Sequence, residues 1–144
     1  MHYEDFTVGM KFRSRDLHVT QEAVITFARE FDPQPFHTDP GAAMKSFFGA
    51  HVASGWHTCA LTMRLFTESV PAKDGIVGGG VDELRWPNVL KPGDTIHLES
   101  EVLEMRTLKS RSDVGLVKVR VVTLNQDGKV VQSMMPSLFV PRRG

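Results

Sequence analysis

The longest apolar helical segment spans residues 54–70 and reads SGWHTCALTMRLFTESV. Ser54 is a favourable N-cap residue, and Pro71 cannot continue a helix, so the pattern predicts a single long helix between them. Apolar side chains cover most of its circumference: Trp56, Cys59, Ala60, Leu61, Met63, Leu65 and Phe66. A helix that is apolar on nearly all sides is buried on several sides. We therefore expect a central helix enclosed by other elements.

The residues that follow this helix read as β-strands from Gly75 onward. Apolar and polar residues alternate over residues 96–102 and again over residues 117–121, as in half-buried strands. Residues 125–128 predict a turn, and the last strand covers residues 130–140 with Pro136 at an edge or a bulge. The predicted fold class is α+β, with an antiparallel sheet curled around the central helix.

A shorter helix precedes the central one. Thr20 is its expected N-cap, and four apolar residues recur at the spacing of one helix face: Val24, Phe27, Ala28 and Phe31. Pro33 ends this helix, and Pro35 is expected to keep the next residues out of helical conformation. Asp39 followed by Pro40 predicts the start of another short helix.

The composition is that of one globular domain over residues 1–144. Hydrophobic residues make up 41% and charged residues 24%, which suits a folded core. Lys and Arg number 17 and so do Asp and Glu, and this zero net charge argues against a nucleic-acid partner. The single cysteine, Cys59, excludes an intrachain disulfide and a multi-cysteine metal site.

No segment of the sequence indicates secretion or membrane insertion. Residues 1–6 are polar and acidic and lack the basic start and apolar run of a signal peptide. No apolar run is long enough to cross a bilayer. We expect a soluble cytoplasmic protein without a membrane partner.

Residues 31–40, FDPQPFHTDP, hold the first candidate for chemistry. Asp32 and His37 lie five residues apart in a segment stiffened by two prolines, and a rigid segment suits a catalytic pair. The negative end of the preceding helix and the apolar neighbours Phe31 and Phe36 predict a raised pKa for Asp32. The pair could carry the proton transfers of a hydration or an elimination, or Asp32 could simply accept hydrogen bonds in a turn.

The start of the central helix is the second candidate. Its free backbone N–H groups and positive dipole end could polarise a carbonyl and stabilise an enolate oxygen, and Gly55 permits close approach. The alternative is that Ser54 is an ordinary cap and Gly55 serves packing. Asp39 is expected to be structural, and no further ligand stands at a suitable spacing from His37 and Asp39, so we expect no metal.

Three blocks of the chain resemble the MaoC-like dehydratases, also called (R)-specific enoyl-CoA hydratases. They read FDPQPFHTDPGAA, FFGAHVASGWHTCALTMRLF and LRWPNVLKPGDTIHLESEV, occur in family order and cover most of the chain. The resemblance implies a hot-dog fold, dimers formed through sheet edges and an active site near the dimer interface. It also implies cofactor-free, reversible hydration of a trans-2-enoyl-CoA to a (3R)-hydroxyacyl-CoA.

The resemblance also assigns roles to individual residues. Asp32 and His37 match the pair that holds and activates water, and Gly55 matches the glycine whose N–H receives the thioester carbonyl oxygen. Ser54 stands where many members have histidine, which changes the pocket beside that donor. Phe36 and Trp56 are expected to narrow the acyl pocket and favour short or branched acyl groups.

Two other functions remain open from the sequence. A hot-dog acyl-CoA thioesterase would direct water to the carbonyl carbon and release a free thiol. A non-catalytic acyl-thioester-binding subunit would bind without turnover, although the presence of both Asp32 and His37 weighs against it. The expected partners are an acyl-CoA thioester and further copies of the chain, as a homodimer or a higher homo-oligomer.

Overall fold

An antiparallel sheet packs around one long helix in the computed structural model, which describes residues 1–72 and 74–144. The helices are α1 (Gln21–Phe31), α2 (Pro35–Thr38), α3 (Pro40–Ala43) and α4 (Gly55–Ser69). The strands are β1 (Lys11–Arg13), β2 (Leu17–His18), β3 (Val77–Arg85), β4 (Thr95–Thr107), β5 (Val114–Leu124) and β6 (Val130–Pro141). The sheet order is β1-β4-β5-β6-β3, with β2 also paired to β4. This is the α+β hot-dog arrangement that the sequence predicts.

The central helix α4 is capped as expected but is not enclosed on all sides. Ser54 is its N-cap, and the hydroxyl oxygen accepts a hydrogen bond from the Trp56 N–H. Its buried residues are His57, Thr58, Thr62, Leu65 and Phe66. Trp56 is 60% exposed and Met63 is 53% exposed. The prediction of burial on nearly every side is therefore wrong, because one flank of the helix faces an open groove instead of the sheet.

The helix α1 confirms most of the prediction made for it. The Thr20 hydroxyl accepts a hydrogen bond from a backbone N–H of the first turn, and the helix buries Val24 and Ala28 against the core. Phe31, at the end of the predicted apolar face, is exposed instead. Pro35 does not prevent a helix; it is the first residue of α2, where its fixed φ is favourable and its missing N–H costs nothing.

Asp39 is the N-cap of α3, as its position before Pro40 predicts. One carboxylate oxygen accepts hydrogen bonds from the N–H groups of Gly41 and Ala42, at 2.9 and 3.3 Å. Both hydrogen bonds satisfy backbone N–H groups of the first helical turn, as N-cap side chains usually do. Asp39 is therefore structural.

One proline of the sheet, Pro136, does not lie where the sequence predicts it. Pro136 lies in β6, between β5 and β3, so it is not on an edge. The paired residues of β5 and β6 skip the stretch around Pro136, which has no N–H to donate. The irregularity lies in the neighbouring strand, where the register of β3 shifts between Gly78 and Gly80.

The strand β3 ends the sheet on one side. Only β6 pairs with it among the described strands, so its outer edge is open. Val77 and Val81 on this strand are 66% and 50% exposed. An open edge with exposed apolar side chains is a surface that commonly pairs with another chain. Across residues 1–72 and 74–144, no helix is both long enough and apolar enough to span a membrane.

Candidate active site

The fold brings Asp32 and His37 together. Asp32 follows the last residue of α1 and His37 lies in α2, and the two prolines between them turn the chain so that the side chains meet. His37 Nε2 lies 3.3 Å from Asp32 Oδ2. The His37 side chain is 7% exposed and that of Asp32 is 18% exposed, so the pair is sheltered but open to a small molecule.

The tautomer of His37 follows from its second nitrogen. His37 Nδ1 lies 2.7 Å from the backbone carbonyl oxygen of Val52. A carbonyl only accepts hydrogen bonds, so Nδ1 carries a proton. In the neutral ring, Nε2 then carries a lone pair beside the Asp32 carboxylate, where both atoms can accept hydrogen bonds from a molecule bound at the pair.

Two side chains hold the Asp32 carboxylate. The Ser54 hydroxyl donates to Oδ2 at 2.7 Å, and the Gln34 amide donates to Oδ1 at 2.6 Å. Burial raises the pKa of Asp32, but the two hydrogen bonds and the nearby His37 together lower it further than burial raises it. The pKa of Asp32 therefore lies below its ordinary value. The prediction of a raised pKa is wrong, because it rested on the helix dipole and the apolar neighbours and did not include the hydrogen bonds from Ser54 and Gln34.

Ser54→Ala is expected to raise the pKa of Asp32, because it removes the hydroxyl that stabilises the charged carboxylate. The carboxylate is then protonated at a higher pH than in the unmodified protein, as measured by carbon NMR titration of the Asp32 side chain. The loss of the α4 cap also lowers the free energy of unfolding by about 1 kcal/mol.

Ser46→Ala is the matched control for that experiment. The Ser46 hydroxyl donates to the carbonyl oxygen of Ala43, away from Asp32. It should leave the Asp32 titration unchanged. An unaltered Asp32 pKa in a folded Ser54→Ala protein would show that the Ser54 hydrogen bond does not hold the carboxylate in its charged form.

Gly55 begins α4 beside this pair. No described residue accepts a hydrogen bond from its backbone N–H, so the donor is free at the positive end of the helix. A Cβ at this position would lie 2.7, 2.8 and 2.9 Å from three ring carbons of Trp86. The interpretation that Gly55 serves packing is therefore correct. It is compatible with a free backbone N–H at the same residue.

Phe36 and Trp56 occupy different sides of the site. The Phe36 ring meets His37 edge-on, with ring centroids 4.5 Å apart, so it lies beside the pair. Trp56 meets Trp86 edge-on at 5.6 Å and lines the open groove. The structure thus places Trp56 on the side of α4 that faces the groove, away from Asp32 and His37. It brings the other five predicted site residues together: Asp32, Phe36, His37, Ser54 and Gly55.

The groove beside Trp56 is a separate apolar space of about 560 Å³. It runs along α4 next to β3 and β6. Its walls include Trp56, Cys59, Met63, Phe66, Met134 and Leu138. Neither Asp32 nor His37 lines it.

Four groups at the site were not predicted from the sequence: the Gln34 amide, the Val52 carbonyl, Trp86 and Gln132. Gln34 lies between the two prolines of the first block, and Trp86 lies in the third block. Their positions in these blocks are the only features of the sequence that could have drawn attention to them. Val52 contributes only backbone. Gln132 is fully buried in β6, and nothing in its surrounding sequence marks it.

Comparison with known proteins gives consistent similarities. Residues 5–125 match the sequence model of the family described as MaoC like domain. A Bacillus subtilis (strain 168) protein, called uncharacterized protein YdeM, is 32% identical over 127 residues, which cover 88% of this chain and 89% of that protein.

Solved structures agree along nearly the whole chain. The crystal structure of the MaoC-like dehydratase from Rhodospirillum rubrum has a TM-score of 0.95 and 48% identity, covering 100% of this chain and 99% of that one. The unliganded R-hydratase PhaJ1 from Pseudomonas aeruginosa has a TM-score of 0.81 and 26% identity, covering 99% and 86%. Both similarities extend over the elements that carry the site.

Proposed function

Because the chain belongs to the MaoC-like dehydratase family, we propose that it reversibly hydrates a trans-2-enoyl-CoA thioester to a (3R)-hydroxyacyl-CoA. The observation that carries this proposal is the contact of Asp32 Oδ2 with His37 Nε2 at 3.3 Å, beside the free N–H of Gly55. An R-hydratase among the similar structures supports the same reaction class.

The attacking water lies beside the Asp32–His37 contact and donates one hydrogen bond to each residue. The low pKa of Asp32 keeps its carboxylate ionised at neutral pH, so Oδ2 accepts one hydrogen bond from the water. His37 Nε2 accepts the other, because the ring proton is on Nδ1. As the water oxygen bonds to C3 of the substrate, the pair accepts the proton that the water loses.

The thioester oxygen takes up the charge that this attack creates. Electrons of the C2=C3 bond move towards the carbonyl, and the Gly55 N–H donates to the resulting enolate oxygen at the positive end of α4. The pair then returns a proton to C2, which restores Asp32 and His37. One water is added and no oxidant, reductant or cofactor is required.

The test separates hydration from thioester hydrolysis. Purified protein is added to crotonyl-CoA and to a series of longer and methyl-branched enoyl-CoAs, and both the enoyl-thioester absorbance and free thiol are followed. We expect the absorbance to fall with no release of thiol. Thiol release would indicate a thioesterase, and a folded protein that changes neither signal would contradict the proposed activity.

We also propose that two copies of the chain pair through β3. The outer edge of β3 is open, and Val77 and Val81 expose apolar side chains along it. A two-fold axis at this edge would join two sheets into one and bury these side chains. It would also cover the groove that β3 borders.

Val81→Lys is expected to convert the dimer to a monomer, because a charged side chain on an edge strand opposes pairing. Light scattering across a range of protein concentrations measures the molar mass. Val8→Lys is the matched control, since Val8 is also exposed but lies outside β3. A monomeric unmodified protein, or a dimer that survives Val81→Lys, would argue against pairing at this edge.

A further inference from the structure

The short segment of residues 51–54, between α3 and α4, contacts both residues of the catalytic pair. It contains neither helix nor strand. The Val52 carbonyl oxygen lies 2.7 Å from His37 Nδ1, from which it accepts a hydrogen bond. The Ser54 hydroxyl donates to Asp32 Oδ2, also at 2.7 Å. The two side chains of the pair are therefore held from one piece of chain.

The first residue of this segment, His51, makes a contact that the proposed mechanism does not use. Its Nε2 lies 2.6 Å from the backbone carbonyl oxygen of His37. A carbonyl only accepts hydrogen bonds, so Nε2 of His51 carries a proton and donates it. The His51 side chain is partly buried, and His37 is buried. One histidine thus binds the backbone of the other.

The helix α2, which carries His37, depends on contacts from outside for its shape. It is a single turn of four residues, and a single turn is unstable by itself because it fixes many dihedral angles for few hydrogen bonds. The carbonyl of Phe36 accepts from the Val52 N–H, but this contact is long, at 3.4 Å. Across the part of the chain that the structure describes, no backbone N–H from another element donates to the His37 carbonyl. The His51 ring supplies that donor.

Two adjacent residues therefore hold His37 at two points. His51 binds its backbone carbonyl, and the Val52 carbonyl binds its ring. Together these contacts restrict both the position of the residue and the rotation of its ring. If the backbone contact is removed, α2 can shift, and the distance of 3.3 Å between His37 Nε2 and Asp32 Oδ2 changes with it. Misplacement of a reacting group by about 1 Å can cost about a hundredfold in rate.

We propose that His51 is a positioning residue for the catalytic pair. Its Nε2–H holds the His37 backbone and so sets where the His37 ring meets Asp32 and the attacking water. The role is one of position and not of proton transfer, because the carbonyl engages the donating nitrogen. The inference rests on the proposed function, since only there does the pair carry chemistry.

His51→Leu is expected to lower kcat for crotonyl-CoA by at least about tenfold while KM changes by less than about threefold, because it displaces the ring and removes no substrate contact. Leucine is similar in size and cannot donate. His51→Gln should keep kcat within about threefold of the unmodified protein, since its amide nitrogen occupies the position of Nε2. His51→Asn places the amide nitrogen at the position of Nδ1, too short to reach the carbonyl, and should be as slow as His51→Leu.

A spectroscopic measurement tests the same contact without turnover. In protein with nitrogen-15-labelled histidine, the proton on His37 Nδ1 gives an NMR signal while the Val52 carbonyl protects it from exchange with water. This signal should be lost in His51→Leu and His51→Asn and retained in His51→Gln. His18→Leu is the matched control, because His18 is an exposed histidine of β2 whose ring contacts Thr95 and neither residue of the pair. It should change neither kcat nor the signal.

The results distinguish this inference from the proposed function. Normal kcat or a retained signal in folded His51→Leu protein would overturn it, and so would equal kcat in His51→Gln and His51→Asn, the pair that decides if His51→Leu alone unfolds. Unfolding of both His51→Leu and His51→Asn, followed by circular dichroism, would also overturn it, since His51 would then support the whole domain. Loss of the signal in His51→Leu, with no hydration by any form, would support the hold of His51 on His37 and refute the hydratase.

Discussion

Asp32→Asn is expected to abolish hydration of crotonyl-CoA, lowering kcat by about a thousandfold, within the range for removal of a general base. The amide cannot accept the proton of the attacking water. It has nearly the same shape and still offers an oxygen to one of the two donors, Ser54 and Gln34. The fold and the oligomeric state should therefore be retained, as checked by circular dichroism, thermal unfolding and light scattering.

Asp39→Asn is the control for this experiment. Asp39 lies seven residues further along the chain and caps α3, and asparagine is an equally good N-cap. Activity and stability should both be preserved. An unfolded Asp32→Asn protein would mark Asp32 as structural, and a folded one with near-normal turnover would remove it from the mechanism.

His37→Gln is expected to lower kcat by about a hundredfold or more, because the side chain can no longer take up a proton next to Asp32. The glutamine amide nitrogen occupies the position of Nε2 and not of Nδ1, so the hydrogen bond to the Val52 carbonyl is lost and the fold of the variant is checked by circular dichroism. Steady-state rates with crotonyl-CoA provide the measurement.

His97→Gln is the matched histidine control. His97 lies on β4, and its ring contacts the exposed Glu99 and neither residue of the pair. Its replacement should leave turnover unchanged. Near-normal activity in a folded His37→Gln protein would contradict the two-residue mechanism and leave Asp32 as the sole activating group.

The features that could be predicted from the sequence are those set by local interactions. Thr20, Asp39 and Ser54 were identified as caps because a cap bonds to backbone groups two or three residues away. The spacing of Asp32 and His37 across two prolines likewise depends on a few neighbouring residues. Such contacts depend little on the rest of the fold.

The features that were missed depend on residues far apart in the chain. Ser54 is 22 residues from Asp32, and its hydroxyl is one reason why the pKa of Asp32 is lowered and not raised. Trp86 and Gln132 are 46 residues apart, and their hydrogen bond exists only once the sheet has formed. The sequence of α4 also shows that apolar residues occur on most sides of the helix. It does not show which of those sides is covered by the sheet.

The most direct test of the central claim is the configuration of the product formed from crotonyl-CoA, determined by chiral analysis of the 3-hydroxybutyryl group. Addition of water by Asp32 and His37, in a chain whose structure is similar to that of an R-hydratase, predicts the (3R) product alone. A (3S) or racemic product, or no hydroxyacyl product from the folded protein, would contradict the account.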